Sequence, residues 1–197
     1  MHVTWQIRSY AYGDYSRLGY MRSVDQGSSW TSPRELAIGE TAPGVAMLGV
    51  YVFGDDEIHL TWDTPDRLHQ WSFDGGETWS QPIPIMQLGA AFGGFNQLAK
   101  DSAGILHVLS AVGDGVYHAV WNGNSWGAPE ALDRRLYDPH HQQMVVCQGN
   151  QLHVVYDDRR GEHVIWYATK RVNAPLIQQS AIPSRVTPAA SLSPTSI

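Results

Sequence analysis

Ser72-Phe73-Asp74-Gly75-Gly76-Glu77-Thr78-Trp79 reads Ser-x-Asp-x-Gly-x-x-Trp, and the pattern returns as Ser23-Val24-Asp25-Gln26-Gly27-Ser28-Ser29-Trp30. Each residue type has a physical task. An Asp carboxylate accepts hydrogen bonds from the backbone N–H groups of its own turn. Gly supplies a backbone angle that side chains disfavour. The Ser hydroxyl adds a local bond, and the Trp covers a neighbouring apolar surface. The motif is therefore a turn device: Ser23, Asp25, Gly27 and Trp30 form one copy, and Ser72, Asp74, Gly76 and Trp79 form the other.

The repeat extends well beyond the turns. His2-Val3-Thr4-Trp5, His59-Leu60-Thr61-Trp62, His107-Val108-Leu109-Ser110 and His153-Val154-Val155-Tyr156 resemble one another, and the last three start 48 and 46 residues apart. Trp30, Trp79 and Trp126 are separated by 49 and 47 residues, and Pro33, Pro82, Pro129 and Pro175 by 49, 47 and 46. Three independent markers share one period, which with several short strands per unit is a propeller signature. Each unit predicts strands A to D. Strand A covers Val45–Phe53, Asn96–Lys100 or Gln143–Cys147. Strand B carries the His segment. Strand C leads into the Ser-Asp-Gly-Trp turn, and strand D starts near the proline, where an edge strand tolerates a missing N–H. The first unit begins in strand B. The third turn has decayed to Trp121-Asn122-Gly123-Asn124-Ser125-Trp126, and the fourth unit has lost it.

The two intact turns resemble the Asp box, or BNR repeat, of the sialidase (neuraminidase) superfamily. The resemblance covers residues 1–178 and implies an all-β propeller of the sialidase type. The chain holds four units, the first incomplete, whereas the sialidase ring closes with six, within the range known for propellers. A partial copy of the ring is expected; a closed four-bladed ring is the alternative. Residues 179–197, rich in Ser, Pro and Thr, read as a disordered tail or linker.

Composition narrows the function. The net charge of −6, with no basic run, disfavours a nucleic-acid partner. No apolar run approaches the ~18 residues of a membrane helix. The chain opens on a strand-like segment rather than a signal peptide, while the resemblance implies an extracellular or cell-surface parent protein. Cys147, the single cysteine, reads as a small apolar strand residue. No cofactor is expected. Periodicity makes His2, His59, His107 and His153 structural. Adjacent His140 and His141 point apart on a strand, and Asp55-Asp56-Glu57 lacks calcium-loop spacing, so no metal site is expected.

Topology directs attention to one end of the blades. The boxes share a face with the A–B turns, while the resemblance places substrate on the opposite face, among the B–C and D–A loops. These loops carry Arg8, Asp63, Arg67, Asp158 and Arg159 on three units, with Tyr137, His140 and His141 in the last D–A loop. Converging arginines bind a carboxylate by paired hydrogen bonds. In the sialidases an arginine triad grips the sugar carboxylate, a Glu-activated Tyr is the nucleophile and an Asp the acid/base. By resemblance, Tyr137 with Glu40 holds the place of the Tyr/Glu pair, and no nucleophile is assigned. Against catalysis, the Arg-Ile-Pro signature is absent, since Ser9-Tyr10 follows Arg8. The arginines also suit solvated loop charge or pairing between blades. Two readings stand: a carbohydrate-recognition or scaffold propeller without complete catalytic machinery, with a glycan as partner, or an active exo-sialidase.

Overall fold

The computed structural model describes residues 1–9, 15–39, 46–64, 66–86, 96–113, 115–134, 136, 139–158 and 164–177. They form four antiparallel sheets. The first contains β1 (His2–Ser9), β2 (Tyr15–Arg22) and β3 (Arg34–Gly39). The second orders β4 (Ala46–Phe53), β5 (Glu57–Asp63), β6 (Arg67–Ser72) and β7 (Ile83–Pro84). The third orders β8 (Gln97–Lys100), β9 (Leu106–Val112), β10 (Gly115–Val120) and β11 (Glu130–Asp133). The fourth holds β12 (Pro139–Cys147), β13 (Gln151–Asp158) and β14 (Val164–Arg171). Every sheet is an up-and-down meander in chain order, matching the predicted A-to-D units. In the first sheet, β1 and β2 extend to Ser9 and from Tyr15, so Arg8 stands in a strand rather than in the loop expected for it. Among the described residues the fourth sheet has no D strand.

The sheets stack in chain order: β1 packs on β4, β4 on β8, and β8 and β9 on β12. The strand pleat explains how. Ile58, Leu60 and Trp62 of β5 face the first sheet and meet Leu18. The alternate residues face the third sheet. Leu106, Val108 and Val112 of β9 turn back to the second sheet, beside Ile85 and Trp121. Leu109 and Ala111 turn forward to Leu152, Val154 and Tyr156 of the fourth. Strand B of each inner sheet is thus buried on both faces, and the core is three seams rather than one centre.

The turns are built as their composition requires. Ser72 Oγ donates to Asp74 Oδ1 at 2.7 Å and accepts from Gly76 N at 2.8 Å, while Asp74 accepts from Thr78 N at 2.9 Å and Thr78 Oγ1 at 2.5 Å. The first copy repeats each bond: Ser23 Oγ to Asp25 at 2.7 Å, Gly27 N to Ser23 Oγ at 2.7 Å, and Ser29 N and Oγ to Asp25 at 2.8 and 2.5 Å. These donors, Ser29 first, hold the Asp25 carboxyl down at about 2, and the same set led by Thr78 holds Asp74 lower still. In the decayed third turn, Asn122 Oδ1 accepts from Asn124 N and Ser125 N at 2.9 and 2.7 Å. Cys147 lies in β12 but is exposed, unlike the apolar packing expected for it.

The recurring histidines are structural, and each has a partner on strand C. His2 Nδ1 meets the Tyr20 hydroxyl at 2.8 Å, His59 Nδ1 meets His69 Nε2 at 2.8 Å, His107 Nδ1 meets His118 Nε2 at 3.0 Å, and His153 Nδ1 meets the Tyr167 hydroxyl at 2.5 Å. The partner is always the diagonal neighbour, two residues before the one paired with the histidine.

Candidate functional site

Asp63 closes β5 and Arg67 opens β6, and the antiparallel register sets them opposite each other at the B–C end of the second sheet. Their pleat position aims both at the third sheet. Asp63 is 2% and Arg67 5% exposed. Asp63 Oδ2 stands 3.7 Å from Arg67 Nε, and Asp63 Oδ1 accepts from Asn96 Nδ2 at 2.9 Å. Arg67 Nη2 donates to the Ala111 carbonyl of the third sheet at 2.9 Å. Ser110 Oγ donates to Asn96 Oδ1, and Tyr51 Oη donates to the Asn96 carbonyl. Asn96 is therefore the hub, tying β4, β5 and β9 together.

Burial dominates the electrostatics of this cluster. It pushes the Asp63 carboxyl up to about 6, against the opposing pulls of Arg67 and the Asn96 hydrogen bond. It lowers the Arg67 guanidinium, which Asp63 partly restores, and raises the Tyr51 phenol to about 12. A buried pair with additional hydrogen bonds braces a seam at little net gain, but losing one partner is costly. The Asn96–Asp63, Arg67–Ala111 and Tyr51–Asn96 bonds run between the second and third sheets.

A second polar corner lies at the same end of the fourth sheet. The pairing of β12 with β13 shifts register between His140 and Gln143, a bulge that turns His141 to φ 49°. His141 is exposed, and its Nδ1 lies 3.1 Å from Asp157 Oδ2. Asp158 and Gln142 are buried beside it. Bulges of this kind re-aim side chains at strand ends.

The structure thus brings Asp63 to Arg67, and His141 to Asp157, at one end of the array. Arg8 and His140 are placed by their backbones alone, in β1 and β12. Tyr137, Glu40 and Arg159 lie outside the described residues. Among the described residues no three His, Cys, Asp or Glu side chains group as a metal site, and no helix is long and apolar enough to cross a membrane. Two hollows lie at the opposite, turn-bearing end: one of about 320 Å³ beside Arg22, Asp55 and Asp56, and one of about 250 Å³ beside Lys100, Asp101 and Gln148.

Sequence reasoning missed Tyr51 and Ser110 as members of the first cluster. It also missed His69 and His118 as partners of the strand-B histidines. The signal for the latter pair was present, since His69 and His118 stand 49 residues apart, one repeat period.

No protein-family model matches the sequence, and no curated protein matches it. Solved structures do. An unknown function protein from Dyadobacter fermentans DSM 18053 superposes with a TM-score of 0.64 at 11% identity, over 87% of this chain and 50% of that one. The NanB sialidase from Streptococcus pneumoniae superposes with a TM-score of 0.54 at 16% identity, over 80% and 26%. The alpha-L-arabinanase of Penicillium chrysogenum superposes with a TM-score of 0.56 at 10% identity, over 83% and 58%. This chain spans between about a quarter and three fifths of the length of those structures. At such identities the likeness carries the fold: four antiparallel sheets arranged as in the β-propellers of sialidase and arabinanase structures.

Proposed function

We propose that the chain is a carbohydrate-recognition or scaffold part of a sialidase-type, Asp-box propeller, without complete catalytic machinery. The observation that carries this reading is the burial of Asp63 and Arg67. Arg67, a candidate to grip a sugar carboxylate, instead pairs with Asp63 and donates to the Ala111 carbonyl across a seam, while Asp63 accepts from Asn96. The missing Arg-Ile-Pro signature and the decayed third and fourth boxes agree with it. The propeller fold shared with sialidase and arabinanase structures supports a carbohydrate setting, although a fold hosts many functions. Residues 1–178 form the blades, as part of a ring of six completed by sheets beyond these four. Residues 179–197 form the tail, and the parent protein works outside the cell or on its surface.

Two assays test the proposal on the purified chain. Binding on a glycan array without hydrolysis of a fluorogenic sialoside is the expected result. Hydrolysis of the sialoside would overturn the non-catalytic reading in favour of an active exo-sialidase. Neither binding nor turnover would remove the recognition role and leave the scaffold.

A further inference from the structure

Each intact box closes on the residue before its Trp. Asp74 accepts from Thr78 N and Thr78 Oγ1, and Asp25 accepts from Ser29 N and Ser29 Oγ. The third turn keeps this arrangement with one exchange. Asn122 Oδ1 accepts from Ser125 N at 2.7 Å, and Ser125 precedes Trp126 as Thr78 precedes Trp79. The side-chain bond runs the other way, because an amide nitrogen only donates. Asn122 Nδ2 donates to Ser125 Oγ at 2.9 Å. Asn122 therefore holds the place of the box carboxylate, in the form of its amide.

Asn122 is followed by Gly123, the one Asn-Gly pair in the sequence. The turn exposes the amide carbon Cγ of Asn122 to its own backbone and to water. Asn122, Gly123, Asn124 and Ser125 are all exposed. Gly123 has φ 98°, and the space a Cβ would take there is open to 4 Å. Among the described residues the Gly123 N–H has no acceptor. Asn122 Oδ1 already sits between two backbone donors, Asn124 N at 2.9 Å and Ser125 N at 2.7 Å. Donors so placed stabilise negative charge that develops on a carbonyl oxygen. The Ser125 hydroxyl, beside Nδ2, is placed to protonate a departing nitrogen.

We propose that Asn122 is a deamidation site, at which the third turn converts its own amide into the carboxylate of an Asp box. The Gly123 nitrogen loses its proton and bonds Asn122 Cγ. The Cγ–Nδ2 bond breaks, and Nδ2 leaves with a proton as ammonia. Water then opens the cyclic imide. Opening at Cγ gives aspartate on the original backbone. Opening at the main-chain carbonyl gives isoaspartate, whose backbone runs through Cγ and is one methylene longer. The net change is OH for NH2, with no oxidation or reduction.

The two products act differently on the seam. Aspartate only accepts, so the Ser125 hydroxyl turns to donate to it, as Thr78 donates to Asp74. Isoaspartate lengthens the turn between Trp121 and Trp126, which are bridge partners. Trp126 is held on His69 at 3.2 Å, so the longer backbone unseats it from the second sheet. The turn is thus a slow, irreversible timer on the joint between the second and third sheets, whatever the chain binds. The other asparagines lack this geometry. The N–H after Asn124 already donates to Asn122, the one after Asn173 donates to Val172, and Asn96 and Asn150 are buried.

Peptide mapping by mass spectrometry tests this on the full chain aged in mildly alkaline buffer, folded and in urea. The expected result is exchange of NH2 for OH at Asn122 alone in the folded chain. Its rate should exceed that in urea about tenfold, a fraction of the ~100-fold that one oxyanion donor supplies in an enzyme. Ser125→Ala should slow the folded chain and leave the rate in urea unchanged, and Asn122→Gln should abolish conversion. The isoaspartate fraction, identified by enzymatic methyl transfer to its carboxylate, should melt below the Asn122→Asp variant. Conversion no faster folded than in urea, conversion spread over other asparagines, a Ser125→Ala rate equal to that of the parent chain, or an isoaspartate fraction that melts with Asn122→Asp would each overturn the proposal.

Discussion

Trp126 of the third sheet donates its indole Nε1–H to Nδ1 of His69 in the second, at 3.2 Å. An indole nitrogen only donates, so His69 Nδ1 is the bare nitrogen and the ring proton sits on Nε2. That proton points to His59 Nδ1 at 2.8 Å, and His59 Nε2–H points in turn to Glu57 Oε1 at 2.9 Å. Lys100 completes the run by donating to the second Glu57 oxygen. One tautomer choice therefore propagates across a seam from a tryptophan to a lysine. Replacing Trp126 by Phe keeps most of the ring packing and leaves the His69 acceptor without its donor. The expected cost is about 1–2 kcal/mol, read from urea unfolding.

The same run makes stability sensitive to pH. Burial lowers the titration of His59 and His107, takes His118 to about 4, and takes His69 to about 2 with help from His59. The unfolded chain protonates its histidines near 6.5, so below that pH it binds protons that the folded chain does not. Stability is therefore full above pH 6.5 and falls as the pH drops, each histidine contributing up to about 1.4 kcal/mol per pH unit. Thermal melts from pH 7.5 to 4.5 check this. His118→Gln should flatten the slope by about one proton.

Glycine at two equivalent turn positions separates backbone strain from steric clash. Gly27 and Gly76 share a positive φ, so Ala is strained at both. At Gly76 the new methyl also meets Tyr20, whereas at Gly27 it finds its nearest atom at 3.5 Å. Gly76→Ala should therefore cost about 1–3 kcal/mol more than Gly27→Ala. Equal costs by chemical denaturation would show that the seam yields.

The Asp63–Arg67 pair tests the seam at the other end. Arg67→Ala leaves a buried carboxylate unpaired, at an expected cost of about 3–5 kcal/mol at neutral pH. The Asp63 carboxyl titrates at about 6 when folded and near 3.8 when unfolded, so here the folded state holds the extra proton. Its contribution grows as the pH falls through 6 and is complete below 3.8, opposite in sign to that of the histidines. Asp63→Asn should remove this opposing contribution and steepen the net loss of stability between pH 6 and 4.

Much of this architecture is legible in the sequence. The two Ser-Asp-Gly-Trp turns make their bonds within five residues, so local sequence suffices to specify them. The meander order of the strands is legible for the same reason. The loop charges are different. Asp63 bonds Asn96 33 positions away, and Arg67 bonds Ala111 44 positions away. A polar loop reads the same whether its charges face water or a neighbouring sheet. Arg8 shows the related limit at a boundary, since β1 and β2 run on into a polar stretch that reads as loop.

The sequence by itself determined the repeat, the turn chemistry, the sheet order and the structural role of His2, His59, His107 and His153. All of these depend on the two-residue pleat and on hydrogen bonds short in chain distance. Only the tertiary structure decided that Asp63 and Arg67 are turned inward and that His69 and His118 complete the histidine pairs. The physical reason is that the pleat fixes which way a side chain points, while sheet-to-sheet packing fixes what it meets.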